Sequence, residues 1–223
     1  MGFLDALLGK RKVKGPAPDR LFAISTAYVG LDAQQGITTR GVAGIVFQPL
    51  ATGDFRQIVD DMTEILSGTG SEMGSSVETK DDEFGYRWMI VRDPDIEDLA
   101  VGVNAVNDAL AVGGYNDRVL AAVFAFEDAD HKPLYLIYNY KRGSWYPFVP
   151  AAGDKQRNTE RELQIKAATG AELPFEPELE RWFPLWGIPI WACAPSSWRT
   201  SRPTSRSSAC SSAASISSSA SAI

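Results

Sequence analysis

Apolar side chains recur along this chain in short blocks of helical or alternating spacing, separated by Gly, Pro, Asn and Asp. The first block, Phe3, Leu4, Leu7 and Leu8, steps i, i+1, i+4, i+5 and so shares one face of two helical turns. Lys10, Arg11, Lys12 and Lys14 follow it, and Gly15-Pro16-Ala17-Pro18 then breaks the chain into a linker. A helix this short is marginal in water and must dock on something. Leu21–Asp32 and Val42–Gln48 have a mixed pattern that reads as strands, with a turn near Gln35-Gly36. Phe55, Ile58, Val59, Met62, Ile65 and Leu66 predict a helix capped by Asp54 and ended by Gly68.

After a Gly/Ser-rich loop, Val77–Lys80 and Tyr86–Arg92 predict an antiparallel pair. Asp93-Pro94-Asp95 opens a helix marked by Ile96, Leu99, Val103, Val106 and Leu110, and Gly113-Gly114 stops it. Val119–Phe126 and Leu134–Lys141 are apolar on both faces, so they read as covered strands joined by a turn at His131. Trp145–Val149 predicts a third strand, Thr159–Thr169 a helix closed by Gly170, and Glu176–Phe183 a short helix before Pro184. The order strand, strand, helix, twice over, predicts an α+β fold: an antiparallel sheet with helices mostly on one face.

Composition changes abruptly after Pro189. Residues 190–223 hold thirteen serines, seven alanines and three arginines, with no Asp, Glu or Lys. Such text cannot bury enough apolar surface to offset the entropy of ordering it, so a disordered C-terminal tail is expected. Ser/Arg/Ala/Pro-rich text is also what a GC-rich gene yields out of frame. A frameshifted end is the preferred reading, and a phosphorylatable Ser-rich tail is the alternative. Three segments follow: residues 1–18 as amphipathic segment and linker, 19–189 as one α+β domain, and 190–223 as tail.

Charge and chemistry narrow the function classes. Lys+Arg number 22 against Asp+Glu 28, a net charge of −6, and setting the tail aside takes the body to −9. That is the wrong sign for a protein that mainly coats nucleic acid. No apolar run approaches the roughly 20 residues that span a bilayer, and the expected location is cytoplasmic. The only cysteines, Cys193 and Cys210, lie in the tail, and the only histidine, His131, lies in a turn. A Cys/His zinc site, a Cys-His pair and a Ser-His-Asp triad therefore lack their parts, and neither metal nor cofactor is expected. Gly68, Gly70 and Gly74 lack the spacing of a nucleotide fingerprint. Asp60-Asp61 and Asp81-Asp82-Glu83 read as solvated faces.

Three clusters remain as candidates. The N-terminal patch (Phe3, Leu4, Leu7, Leu8 with Lys10, Arg11 and Lys12) fits a weak contact with an anionic membrane surface. It fits equally well a segment packed on the protein's own sheet. Lys141, Arg142, Trp145 and Tyr146 place two cations and two aromatics at a strand end, suited to gripping an acidic partner helix. For the charges the preferred reading is the plainer one, a turn with solvated charges over core aromatics, since the body carries excess acid that can pair with them. Arg181, Trp182 and Trp186 are either a lid over the core, the preferred reading, or an interaction hot spot.

Four stretches together resemble a known family: Met1-Gly-Phe-Leu-Asp-Ala-Leu-Leu-Gly9, Lys141-Arg-Gly-Ser-Trp-Tyr-Pro-Phe148, Glu160-Arg-Glu-Leu-Gln164 and Leu173–Gly187. In that order they are similar to the PspA-associated protein family, PspAB type, over Met1 to about Pro189. The resemblance implies a cytoplasmic accessory protein of the envelope-stress (phage-shock) system. Its partner would be PspA, a coiled-coil protein that protects stressed membranes. The chain's start is also similar to that of PspA, whose N-terminal helix lies on membranes, so a peripheral place at the inner membrane face follows. The family carries no assigned catalytic residues. A non-catalytic interaction protein is the expectation, with a peptide-binding chaperone-like module and an enzyme with a carboxylate- or Tyr-based site as alternatives.

Overall fold

Leu21, Ile24, Ala27 and Leu31 are all buried, and their steps of three and four residues make one stripe of a helix, α1 (Pro18–Gln35). The strand expected over Leu21–Asp32 is therefore a helix. Phe22, Ala23 and Tyr28 are also partly buried, because α1 packs against a strand and two other helices, and this wide apolar face blurs the period. Pro18 opens the helix, where a missing N–H costs nothing. Gly36 closes it at φ 61°, with its N–H on the Asp32 carbonyl (3.2 Å) and the Ile37 N–H on that of Leu31 (3.1 Å). The Gln35-Gly36 turn thus ends a helix and does not join two strands.

The structure, a computed structural model, describes residues 18–70 and 75–190. After α1 come β1 (Thr38–Phe47), α2 (Gly53–Gly70), β2 (Ser76–Asp81), β3 (Arg87–Arg92), α3 (Ile96–Val112), β4 (Val119–Glu127), β5 (Pro133–Asn139), β6 (Ser144–Phe148) and α4 (Thr159–Thr169). Of the two strand-strand-helix units expected in the first half, the second forms as β2-β3-α3, and the first is replaced by α1-β1-α2. Only a 3₁₀ turn at Leu179–Arg181 stands where a helix is expected over Glu176–Phe183. The N-terminal patch residues Phe3, Leu4, Leu7, Leu8, Lys10, Arg11 and Lys12, the glycine loop at 71–74 and the tail from Trp191, with Cys193 and Cys210, lie outside the described residues.

The sheet has six strands in the order β2-β3-β1-β4-β5-β6, and every neighbouring pair is antiparallel. Local chemistry places its helices. Asp95 caps α3 by accepting from the Glu97 N–H (2.7 Å), and Asn158 caps α4 by accepting from that of Arg161 (3.0 Å). Strand alternation then sorts side chains to two faces. Ala43, Ile45, Phe47, Met89, Val91, Phe124, Phe126 and Trp145 meet the four helices, forming the larger core.

The opposite face carries Val42, Val46, Trp88, Ile90, Val123, Ile137, Tyr146 and Phe148. Among the described residues it is packed by an irregular strap, residues 182–190. Trp186 stands edge-on to Phe148 of β6 (centroids 5.0 Å, 84°). At the other end of the strap, Ile190 and Trp88 of β3 both crowd Gly44 of β1, where a Cβ would lie 3.2 Å from each of the two side chains. Ile190 is 1% exposed, so packing on this face includes a residue beyond the composition break at Pro189. Ile190→Ala should cost about 2 kcal/mol, the low end for a buried Ile because a chain segment can settle into the gap. A urea titration checks it, and an unchanged midpoint would mean that the strap's end does not pack.

Candidate functional site

The turn after β5 is rigid. The Arg142 and Gly143 N–H groups both reach the Asn139 carbonyl (3.2 and 2.8 Å), and the Arg20 guanidinium of α1 donates to that of Gly143 (2.9 Å). Trp145, 0% exposed, lies on the helix side between Phe124 and Tyr138, and its indole N–H donates to the Arg20 carbonyl (2.7 Å). Tyr146 points to the strap side and is also buried, and burial pushes its phenol well up, with Arg157 opposing. Burial likewise raises the Tyr135 phenol beside it on that face, with Arg40 opposing.

The outer edge of β6 is occupied. Trp145 donates its N–H to the Pro174 carbonyl (2.9 Å) and accepts from the Glu176 N–H (2.8 Å), pairing β6 in parallel with Phe175. Further along, the Val149 N–H donates to Glu162 (2.9 Å), and Pro147 has no N–H to offer. A partner strand therefore cannot add there. The opposite edge, β2, is lined by Glu78 and Lys80, which pair with each other (3.2 Å), and Asp81, which pairs with Arg87 (2.6 Å). The Arg87 bond holds the Asp81 carboxyl below the usual carboxylate range. Asp81 and Asp82 of the acidic cluster thus serve the β2–β3 hairpin, Asp82 accepting the Trp88 indole N–H (2.9 Å).

The Phe175 bridge carries Glu176 into a nearly dry position, 3% exposed. Arg142 lies 3.4 Å from its carboxylate and Arg181 3.7 Å, and Ser144 donates to it (3.3 Å). Arg181 also pairs with Glu178 (2.7 Å). Two guanidiniums far apart in sequence, 40% and 35% exposed, thus converge on one buried carboxylate, and exposed Lys141 stands beside Arg142. A second buried acid, Glu162 of α4, is 0% exposed. Arg157 grips it through Nε (3.0 Å) and Nη2 (2.6 Å), and through Nη1 donates to the Trp182 carbonyl (2.7 Å). Trp182 is 2% exposed and donates its indole N–H to the Glu176 carbonyl (3.0 Å).

Of the seven residues expected at a partner surface, Trp145, Tyr146 and Trp182 are core, because alternation and the strap bury them. Trp186 is half-buried on Phe148, and Lys141, Arg142 and Arg181 remain open to solvent. Sequence reasoning missed Glu162, Glu176 and Arg157. For Glu162 a signal existed: it shares a helical face with Ile165 and Thr169, both buried, and a charge on such a stripe needs a buried partner.

A family model described as PspA associated protein B matches residues 1–190. The chain belongs to that family. The match ends at Ile190, which is buried against the sheet. No curated protein matches the chain, and no solved structure does. In this member of the family, the β5–β6 turn, the start of α4 and the strap meet around Glu176 and Glu162. These are three of the four stretches that carry the resemblance. The family is described by its association with PspA and not by a reaction. No helix among the described residues is long and apolar enough to cross a membrane.

Proposed function

We propose that this chain is a non-catalytic accessory protein of the PspA envelope-stress system, cytoplasmic and peripheral to the inner membrane face, that binds PspA or a similar coiled-coil partner. The observation that carries the reading is the convergence of Arg142 and Arg181, flanked by Lys141, on one surface of an otherwise acidic body. An acidic helical face complements such a patch. Arg forks already oriented by Glu176 lose little side-chain freedom on binding. Trp145 and Trp182 hydrogen-bond the Glu176 backbone and so support the patch, Tyr146 is buried on the strap side, and the half-buried Trp186 lies further along the strap.

The test must respect Glu176. Reversing Arg142 to Glu would set a carboxylate against a buried carboxylate and disturb the fold, so the suitable variant is Lys141→Glu with Arg142→Gln. Partner binding should fall about thirtyfold, on the order of 2 kcal/mol, as for charged interface residues. The circular dichroism melt should move by no more than a few degrees. Undiminished co-purification with PspA would sink this surface. Deleting residues 1–14 separately tests the membrane contact: association with anionic vesicles at low salt should disappear while PspA binding through the patch survives.

A further inference from the structure

On the strap side of the sheet, a cleft of about 870 Å³ opens between residues 185–188, the β4–β5 turn and the loop after β6. Its size falls within the ~300–1,000 Å³ of small-molecule sites. Tyr135 and Phe148, 3% and 1% exposed, close its base with rings nearly parallel at 6.0 Å and 20°. The apolar surface left open to the cleft is that of half-buried Pro150, Leu185 and Trp186 and exposed Ala151. Four polar residues stand at the mouth: Asp128, Lys132, Asn158 and Arg161.

Two of the four are already engaged. Asp128 accepts from the Asp130 and Lys132 N–H groups (both 2.9 Å), and Asn158 caps α4. The two cations are far less committed. Lys132 pairs with Asp130 at 3.1 Å, but both are about 70% exposed, so the pair is weak and exchangeable. The Arg161 guanidinium donates to neutral Gln164 (3.1 Å), and among the described residues no carboxylate lies within ion-pair distance of it. An apolar cleft with an uncommitted guanidinium at its mouth is unusual on a body of net charge −9.

We infer that this cleft binds a single-chain fatty-acid carboxylate, its head held by Arg161 and Lys132 and its alkyl chain laid along Pro150, Leu185 and Trp186. A guanidinium fork matches a carboxylate in shape and charge. Each methylene taken from water adds to the affinity. The site is independent of the Glu176 patch, and the proposal does not rest on partner binding.

The experiment is calorimetric titration of the full-length chain with monomeric dodecanoate, kept below its micelle concentration. Dodecyltrimethylammonium serves as the control of equal chain length and opposite charge. Dodecanoate should bind saturably at one site, and the cationic amphiphile at least tenfold more weakly. Arg161→Gln should weaken dodecanoate about tenfold, while Arg161→Lys restores part of the loss. Ala152→Trp, at the exposed lip, should block entry without moving the melt. The proposal is overturned if dodecanoate does not bind, or if both head groups bind equally. It is equally overturned if Ala152→Trp leaves binding intact, or if the protein takes up anionic vesicles but no monomeric carboxylate.

Discussion

Replacing Glu162 by Ala should lower folding stability by about 3 kcal/mol, and the reason is geometric. The carboxylate is 0% exposed and accepts from Arg157 and from the Val149 backbone N–H. Removing one partner of a buried pair costs about 3–5 kcal/mol, because it leaves the other charge stranded. Arg157 is 24% exposed, so water reaches it and the loss sits at the lower end. Arg157 also holds the Trp182 carbonyl, so the strap should loosen in the same variant. Glu162→Gln keeps an acceptor for Val149 but turns an amide N–H₂ toward the guanidinium, and it should be destabilised as well. Urea unfolding measures the loss, and a change under 1 kcal/mol would mean that the pair is hydrated in solution.

Trp145→Ala should be about as severe, costing about 3–5 kcal/mol, the usual range for emptying a buried Trp site. The indole fills the space between Phe124 and Tyr138 on the helix side. Its loss also orphans the Arg20 carbonyl that accepts its N–H, untying α1 from β6. Trp145→Phe would refill most of the volume without restoring that hydrogen bond, so its cost should fall to about 1–2 kcal/mol. A thermal melt compares the two. If Trp145→Ala leaves the melt intact yet abolishes PspA binding, the indole belongs to an interface and not to the core.

Both predictions turn on residues that a linear reading handles unevenly. Trp145 and Tyr146 look like one aromatic pair beside two cations. Consecutive strand residues point to opposite faces, however, so period 2 alone separates them. Glu162 was legible as a charge on an apolar helical stripe. Glu176 was not, since nothing local marks it. Its burial comes from the backbone bridge that lays Phe175 against Trp145. The loss of β6 as a docking edge has the same origin, because the capping strand is built from residues 174–176 further down the chain.

Several features belong to the sequence by itself: the α+β class, the hairpins β2–β3 and β4–β5, and the α3 helix between Asp95 and Gly113. These rest on periodicity, caps and turn residues, which act over a few neighbours and so are written locally. Only the tertiary structure decided that Leu21–Asp32 is helical, that the strap packs one sheet face, and that Arg142 and Arg181 share Glu176. The bonds responsible join residues far apart: Arg20 to Trp145 spans 125 positions and Arg157 to Trp182 spans 25. Contacts at that separation close long loops, and their closure entropy is offset by burial that no local window of sequence contains.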